Sequence, residues 1–254
     1  MAKRFSHPVL IAAALAPLVL GLAACKKEGG EAAPTTSSTP LAKVAAPAGK
    51  AWIDMVETNA EGGYVLGNPN APVKVLEYGS LSCPHCAALG QAGFGTLINT
   101  YVASGRVSLE FRSFAIHPID IPLTLLATCG DKQSFFPLVE QVYGNFEAVM
   151  TKAQSPEAMQ KGQNAMTLPE KERFVVAARE QGLTEFFAQR GISVDQANVC
   201  LANFDKANAI AKLADDYGNK GITSTPTLLI NGSKLESTTW PELNAALQRA
   251  GVRD

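Results

Sequence analysis

Net charge is almost absent from this chain: 22 Lys and Arg stand against 23 Asp and Glu, leaving a formal −1. With no basic surplus to displace counterions from phosphates, nucleic acid is excluded as a partner class. Histidine is scarce, at three residues, and the five cysteines include a single C-x-x-C pair. No second C-x-x-C and no H-x-H run joins it, whereas structural zinc usually takes four ligands, so neither a metal nor another cofactor is expected. No internal repeat or second linker interrupts residues 51–254, which amount to one domain of chain. Large apolar residues are nearly missing between 26 and 50, where Gly, Ala, Pro, Ser and Thr dominate. Such a stretch buries too little surface to order itself, so 25–50 is expected to be a flexible tether. About 25 residues of this kind reach about 25–30 Å.

The chain begins with a short basic segment, Met1-Ala2-Lys3-Arg4, and an apolar run from Val9 to Ala24 broken by Pro17. That is the layout of a secretory signal over 1–24. Its end, Leu22-Ala23-Ala24-Cys25, resembles the lipobox of bacterial lipoproteins, which implies cleavage before Cys25 and acylation of its thiol. Two other readings stay open. One is an ordinary signal cut at an A-x-A-like site, with Cys25 incidental. The other is an uncleaved anchor, although the run sits at the short end of the ~17–25 residues that span a bilayer. Each sends the remaining chain out of the cytoplasm, with the periplasm the expected compartment.

Cys83-Pro84-His85-Cys86 follows the apolar run Val73-Lys74-Val75-Leu76-Glu77-Tyr78, which reads as a buried strand. Apolar residues Leu89, Leu97, Ile98, Tyr101 and Val102 recur after it at roughly helical spacing. The pair therefore opens a helix, where unpaired N–H groups and the helix dipole favour negative charge. A thiolate is such a charge, so Cys83 is expected to be the low-pKa nucleophile and Cys86 the more buried resolving thiol. Pro84 suits the first turn, because its missing N–H was unpaired anyway. His85 can donate to the thiolate and, as a cation, stabilise it further. Cys129 and Cys200 remain, and in an oxidising compartment two leftover thiols are expected to pair. Their alternative is two separate core positions, since free cysteine packs as a small hydrophobe.

Elsewhere the pattern predicts a short strand and turn over 65–69 and a strand over 107–111 after the turn Ser104-Gly105. Residues 119–219 read as helical, with capping boxes at Thr167/Glu170 and Ser193/Gln196. Phe135, Leu138, Val139, Val142, Tyr143 and Phe146 fall on one helical stripe. Thr225-Pro226 leads a strand to Ile230, Asn231-Gly232 turns a hairpin into 233–236, and a last helix over 240–250 starts behind Thr239.

This order resembles the DsbA-like branch of the thioredoxin fold, an α/β architecture with a helical insertion. The match covers 52–254, with the thioredoxin part at about 51–117 and 220–254 and the insertion at about 118–219. Cys83-Pro84-His85-Cys86 carries the inner dipeptide of DsbA, Thr225-Pro226 matches the family's cis-proline loop, and the run from Tyr101 to Val107 is similar to that branch. The resemblance implies that Glu77 is the buried acid that moves the resolving thiol's proton, and that Cys129–Cys200 is the extra disulfide of some bacterial members. A cis bond at proline is tolerable in energy, and would turn the Thr225 backbone toward the sulfurs, where a substrate segment could pair as an added strand. Burying Glu77 on an apolar strand is costly without a role.

The resemblance further implies a monomeric dithiol oxidase, without cofactor, that donates the Cys83–Cys86 disulfide to reduced secreted proteins and is reoxidised by a membrane partner of the DsbB kind. An isomerase or reductase of the same fold is the alternative, since Thr before Pro226 departs from the best-known DsbA. A binding protein holding a soft metal through Cys83, His85 and Cys86 is the remaining class. Gly90, Gly93 and Gly95 crowd the helix behind the redox pair, which implies either a kink or close packing there. His7 falls in the signal, and His117 is expected to be a loop residue at the insertion boundary.

Overall fold

The computed structural model describes residues 39–253, so the expected signal over 1–24, the expected lipidation site Cys25 and most of the expected tether over 25–50 lie outside the described residues. The described end of the tether carries no helix or strand up to residue 50. It is nonetheless tied to the body: Leu41 N–H donates to Gly251 O (2.8 Å), and Val44 N–H to Ser104 O (2.9 Å). Trp52 closes over it, donating from Nε1 to Val44 O at 2.8 Å. No helix among the described residues is long and apolar enough to cross a membrane.

Six strands form one sheet in the order β1-β2-β4-β3-β5-β6. They are β1 (Val56–Thr58), β2 (Gly63–Gly67), β3 (Val73–Gly79), β4 (Val107–Ser113), β5 (Thr227–Ile230) and β6 (Ser233–Lys234). β3 and β4 are parallel, joined by helix α1 (Pro84–Thr96), while β5 runs antiparallel on the other side of β3. β3 is thus flanked on both edges, and its interior position explains the apolar run read from the sequence. In register, Glu77 lies between Phe111 of β4 and Leu228 of β5. Asn231 and Gly232 both take positive φ, 50° and 84°, as a two-residue hairpin turn requires.

Between β4 and β5 the chain forms eight α-helices: α2 (Asp120–Ala127), α3 (Phe135–Gly144), α4 (Phe146–Ala153), α5 (Pro156–Ala165), α6 (Glu170–Glu180), α7 (Leu183–Ala188), α8 (Val194–Leu201) and α9 (Phe204–Asn219). α10 (Trp240–Arg249) closes the fold. The α3 stripe joins the sheet core. Phe135 stacks on Tyr64 with centroids 3.9 Å apart and meets Phe111 at 5.7 Å, pairs worth about 0.5–1.5 kcal/mol beyond their buried area. A disulfide joins Cys129, just past α2, to Cys200 on α8, with S–S 2.07 Å and Cα–Cα 5.7 Å. It closes a loop of 71 residues, a constraint on the unfolded chain of about 2–4 kcal/mol.

Three local expectations change. Thr167 does not cap α6: Pro169 holds the N-cap position, and the Thr167 hydroxyl donates back to Asn164 O (2.8 Å), finishing the turn after α5. Ser193 does cap α8, accepting from Gln196 N–H. Thr239 stands at the N-cap of α10, but its side chain makes no capping bond. The helical pattern behind the redox pair belongs to two elements, since Leu97–Val102 is π-helical; the wider turn explains the loose apolar spacing there.

The glycine cluster resolves into two close approaches. A Cβ on Gly90 would lie 2.7 Å from Tyr143 Cδ2, and one on Gly93 would lie 2.3 Å from the Trp240 ring. Gly95 has open space. Close packing of α1 against the insertion and against α10 is therefore the reason for the first two.

Candidate functional site

Cys83 occupies the N-cap of α1 with extended φ/ψ of −88°/122°, and Pro84 takes the first turn. Both Cys83 and Cys86 are free thiols and buried. The Cys83 thiol is lowered to about 5. Its largest cause is a hydrogen bond from the Cys86 thiol; burial opposes it, and the Thr225 side chain and the backbone N–H groups of Cys86 and His85 add to it. The His85 ring is exposed, so its described contribution to the sulfur comes through the backbone at the helix tip. Cys86 is fully buried and its thiol is pushed far up, first by desolvation, then by its bond to Cys83 and the nearby Glu77 charge. The two sulfurs are thereby split into an easily ionised thiol and a reluctant one, as nucleophile and resolving thiol need to be.

The Thr225–Pro226 peptide bond is cis. This bend brings Thr225 O to within 3.4 Å of Cys83 Sγ, which donates to it. The Thr225 hydroxyl is buried without a hydrogen-bond partner of ordinary geometry, leaving its proton able to turn toward the sulfur when that is charged.

Glu77 is 1% exposed, and its Oε1 has no hydrogen-bond partner. Burial raises its carboxyl to about 8, with the Cys83 charge adding to the shift. At neutral pH it is largely protonated, and it lies within electrostatic reach of both sulfurs. A buried acid in that state can give or take the proton that Cys86 must exchange.

Sequence reasoning passed over a second carboxyl. Asp120, at the start of α2, is also 1% exposed. It accepts from Ser80 Oγ (2.9 and 3.0 Å), Ser82 N–H (2.9 Å), Ile116 N–H (3.1 Å) and His117 N–H (3.0 Å). Burial raises its pKa while these bonds hold it down. Ser80 in turn donates its backbone N–H to Cys86 Sγ at 3.5 Å and accepts at its carbonyl from Tyr143 OH at 3.1 Å. His117 is more than a boundary residue, because its Nδ1 lies 2.9 Å from Ser82 Oγ. The available signal was an acid inside the apolar run Ile119-Asp120-Ile121, the same signal that singled out Glu77. Among the described residues, no group of three or more His, Cys, Asp or Glu gathers to hold a metal ion.

Cys129 and Cys200 lie in the insertion and are joined to each other, so neither is a free thiol beside Cys83 and Cys86.

The family model for thioredoxin matches residues 59–249. A Rickettsia typhi chain, provisionally named a protein-disulfide oxidoreductase, is 27% identical over 195 residues, covering 73% of this chain and 61% of its own length. A Rickettsia conorii counterpart gives 27% identity, with 73% and 59% covered, so this chain spans about three fifths of these curated relatives. Among solved structures, a protein-disulfide isomerase from Novosphingobium aromaticivorans superposes with a TM-score of 0.69 at 26% identity, covering 76% of this chain and 99% of that one. Wolbachia pipientis alpha-DsbA1 superposes at 0.55 with 20% identity, covering 76% and 94%, a likeness of fold. With a C-x-x-C at a helix tip, a cis-proline beside it and a helical insertion between β4 and β5, the chain belongs to the thioredoxin family and has its DsbA-like fold.

Proposed function

We propose that this protein is a thiol:disulfide oxidoreductase that passes a Cys83–Cys86 disulfide to reduced proteins outside the cytoplasm, tethered to a membrane through lipid on Cys25. The observation that carries the reading is the split pair: Cys83 lowered to about 5 at a helix tip, beside a Cys86 thiol pushed far up. Stabilising the thiolate stabilises the reduced form, which makes the disulfide a good oxidant.

The reaction begins with a substrate thiolate attacking Cys83 Sγ of the disulfide. The Cys83–Cys86 bond breaks, Cys86 leaves, and the protonated Glu77 carboxyl supplies its proton. A substrate–Cys83 mixed disulfide results. A second substrate thiolate attacks the substrate sulfur, the Cys83 thiolate departs, and the protein is left reduced while the substrate is oxidised. A substrate segment paired along the Thr225 backbone would hold the sulfurs in line. The reduced form would be returned to the disulfide by a membrane protein of the DsbB kind, and the working unit would be a monomer. A second reading, isomerase or reductase, draws on the Novosphingobium protein-disulfide isomerase and on Thr at position 225.

Equilibration with glutathione separates these. The expected potential lies well above thioredoxin's (about −270 mV), and a value near thioredoxin's would replace the oxidase reading with a reductase. Anchoring is tested in cells: Cys25→Ser should leave the protein soluble in the periplasm, and retention in the membrane fraction would remove the lipid from the proposal.

A further inference from the structure

We infer that Asp120 is a positioning residue for the second half of the reaction, holding the Ser80 backbone N–H on Cys86 Sγ so that Cys86 can close the disulfide. The inference rests on the functional reading above and adds a residue to it. The chain of contacts is continuous. One Asp120 oxygen takes the Ser80 hydroxyl and Ser82 N–H, and the other takes the Ser80 hydroxyl, Ile116 N–H and His117 N–H. The loop 80–82 is thereby bound to the first turn of the insertion from below. On its other side the same loop directs Ser80 N–H at Cys86 Sγ (3.5 Å). Tyr143 OH braces the Ser80 carbonyl (3.1 Å), and Cys83 N–H donates to that carbonyl at 3.3 Å.

That N–H is the donor that favours a charged Cys86, against burial and two neighbouring acidic groups. Cys83 has other supports, namely Cys86, Thr225 and the backbone N–H groups of α1. Loosening the Asp120 clamp should therefore slow the step made by Cys86 and spare the step made by Cys83. A carboxylate that served only to cap α2 would change stability without separating the two steps.

Reoxidation by a small disulfide exposes both steps. In the first, the Cys83 thiolate attacks oxidised glutathione; a Cys83–glutathione bond forms and one glutathione thiolate leaves to take up a proton. In the second, Cys86 gives up its proton and attacks Cys83 Sγ; the Cys83–Cys86 bond forms and the second glutathione leaves. Two protein thiols are oxidised and one glutathione disulfide is reduced to two thiols.

The full chain, reduced, is mixed with oxidised glutathione, quenched with acid and weighed by mass spectrometry, giving the two rates separately. Asp120→Asn should form the mixed disulfide within about twofold of the wild-type rate, keep the Cys83 titration in place, and close the ring about tenfold more slowly. Ser80→Ala, which cuts the same link but leaves the N–H, should slow ring closure by a smaller factor. If Asp120→Asn does not fold, by near-ultraviolet circular dichroism, Ser80→Ala decides alone. Unchanged ring closure in a folded variant, or equal slowing of both steps, overturns the inference. A wild-type protein in which oxidised glutathione forms neither the mixed disulfide nor the Cys83–Cys86 disulfide overturns the functional reading itself, a different result.

Discussion

Glu77 and Asp120 are both 1% exposed and both flank the cysteine loop, yet their surroundings are opposite. Asp120 accepts three backbone N–H groups and a hydroxyl, whereas Glu77 Oε1 accepts nothing. Burial raises both, and at Asp120 the hydrogen bonds pull back. A buried carboxyl with full partners is a fixed acceptor that organises backbone. One without partners stores a cost, and protonation near neutral pH relieves it. The difference separates a group that holds geometry from a group that trades protons.

The largest effect expected from breaking this comparison is at Glu77. A carboxyl raised to about 8 in the folded protein, against 4.5 when unfolded, leaves the two states alike below pH 4.5. As pH climbs from there toward 8, the unfolded chain loses the proton first, and stability falls. Glu77→Gln should therefore stabilise the reduced protein little at pH 4 and by something on the order of 4 kcal/mol at pH 8, in urea unfolding. The Cys83 thiol pulls the other way. Its folded value of about 5 is depressed, so it adds stability as pH rises from there toward 9 and loses it as pH falls back; the mutant-minus-wild-type difference reports Glu77 together with its coupling to the Cys83 charge. The same variant should slow Cys86 turnover by about a hundredfold at neutral pH, and unchanged kinetics would make Glu77 structural.

On the Asp120 side, Gly90→Ala sharpens the contrast. Its Cβ would press to 2.7 Å from Tyr143, moving the hydroxyl that braces Ser80. A loss of about 2 kcal/mol in thermal or chemical unfolding is expected, with ring closure slowed more than attack by Cys83; a neutral substitution would show that α1 gives way easily. The smallest effect belongs to Thr225→Val, which removes a hydroxyl serving Cys83 alone. The ultraviolet thiolate absorbance should then titrate about one unit higher, and an unmoved titration would assign that hydroxyl no part in the thiolate's stability.

Much of this was legible in residue order. The run 73–78 announced a strand covered on both sides, the C-x-x-C announced a helix tip, and Asn231-Gly232 announced the hairpin, because each rests on local backbone preferences. Glu77 stood out because an acid in an apolar strand is conspicuous. Asp120 did not, although it too has apolar neighbours, Ile119 and Ile121, because its partners at 80 and 82 lie some forty positions away and only the packing of α2 against the loop brings them together. The glycines were legible as an anomaly and not as contacts, since Tyr143 and Trp240 come from the insertion and from the last helix. The Thr167 box failed because the motif records side-chain capacity, while Pro169 decided where the helix began.

Fastening the reactive loop to the opening turn of the insertion has a consequence for engineering. Grafting Cys-Pro-His-Cys into a minimal thioredoxin would transplant the helix tip and leave behind the buried strut beneath it. Such a hybrid should attack disulfides readily yet linger as adducts.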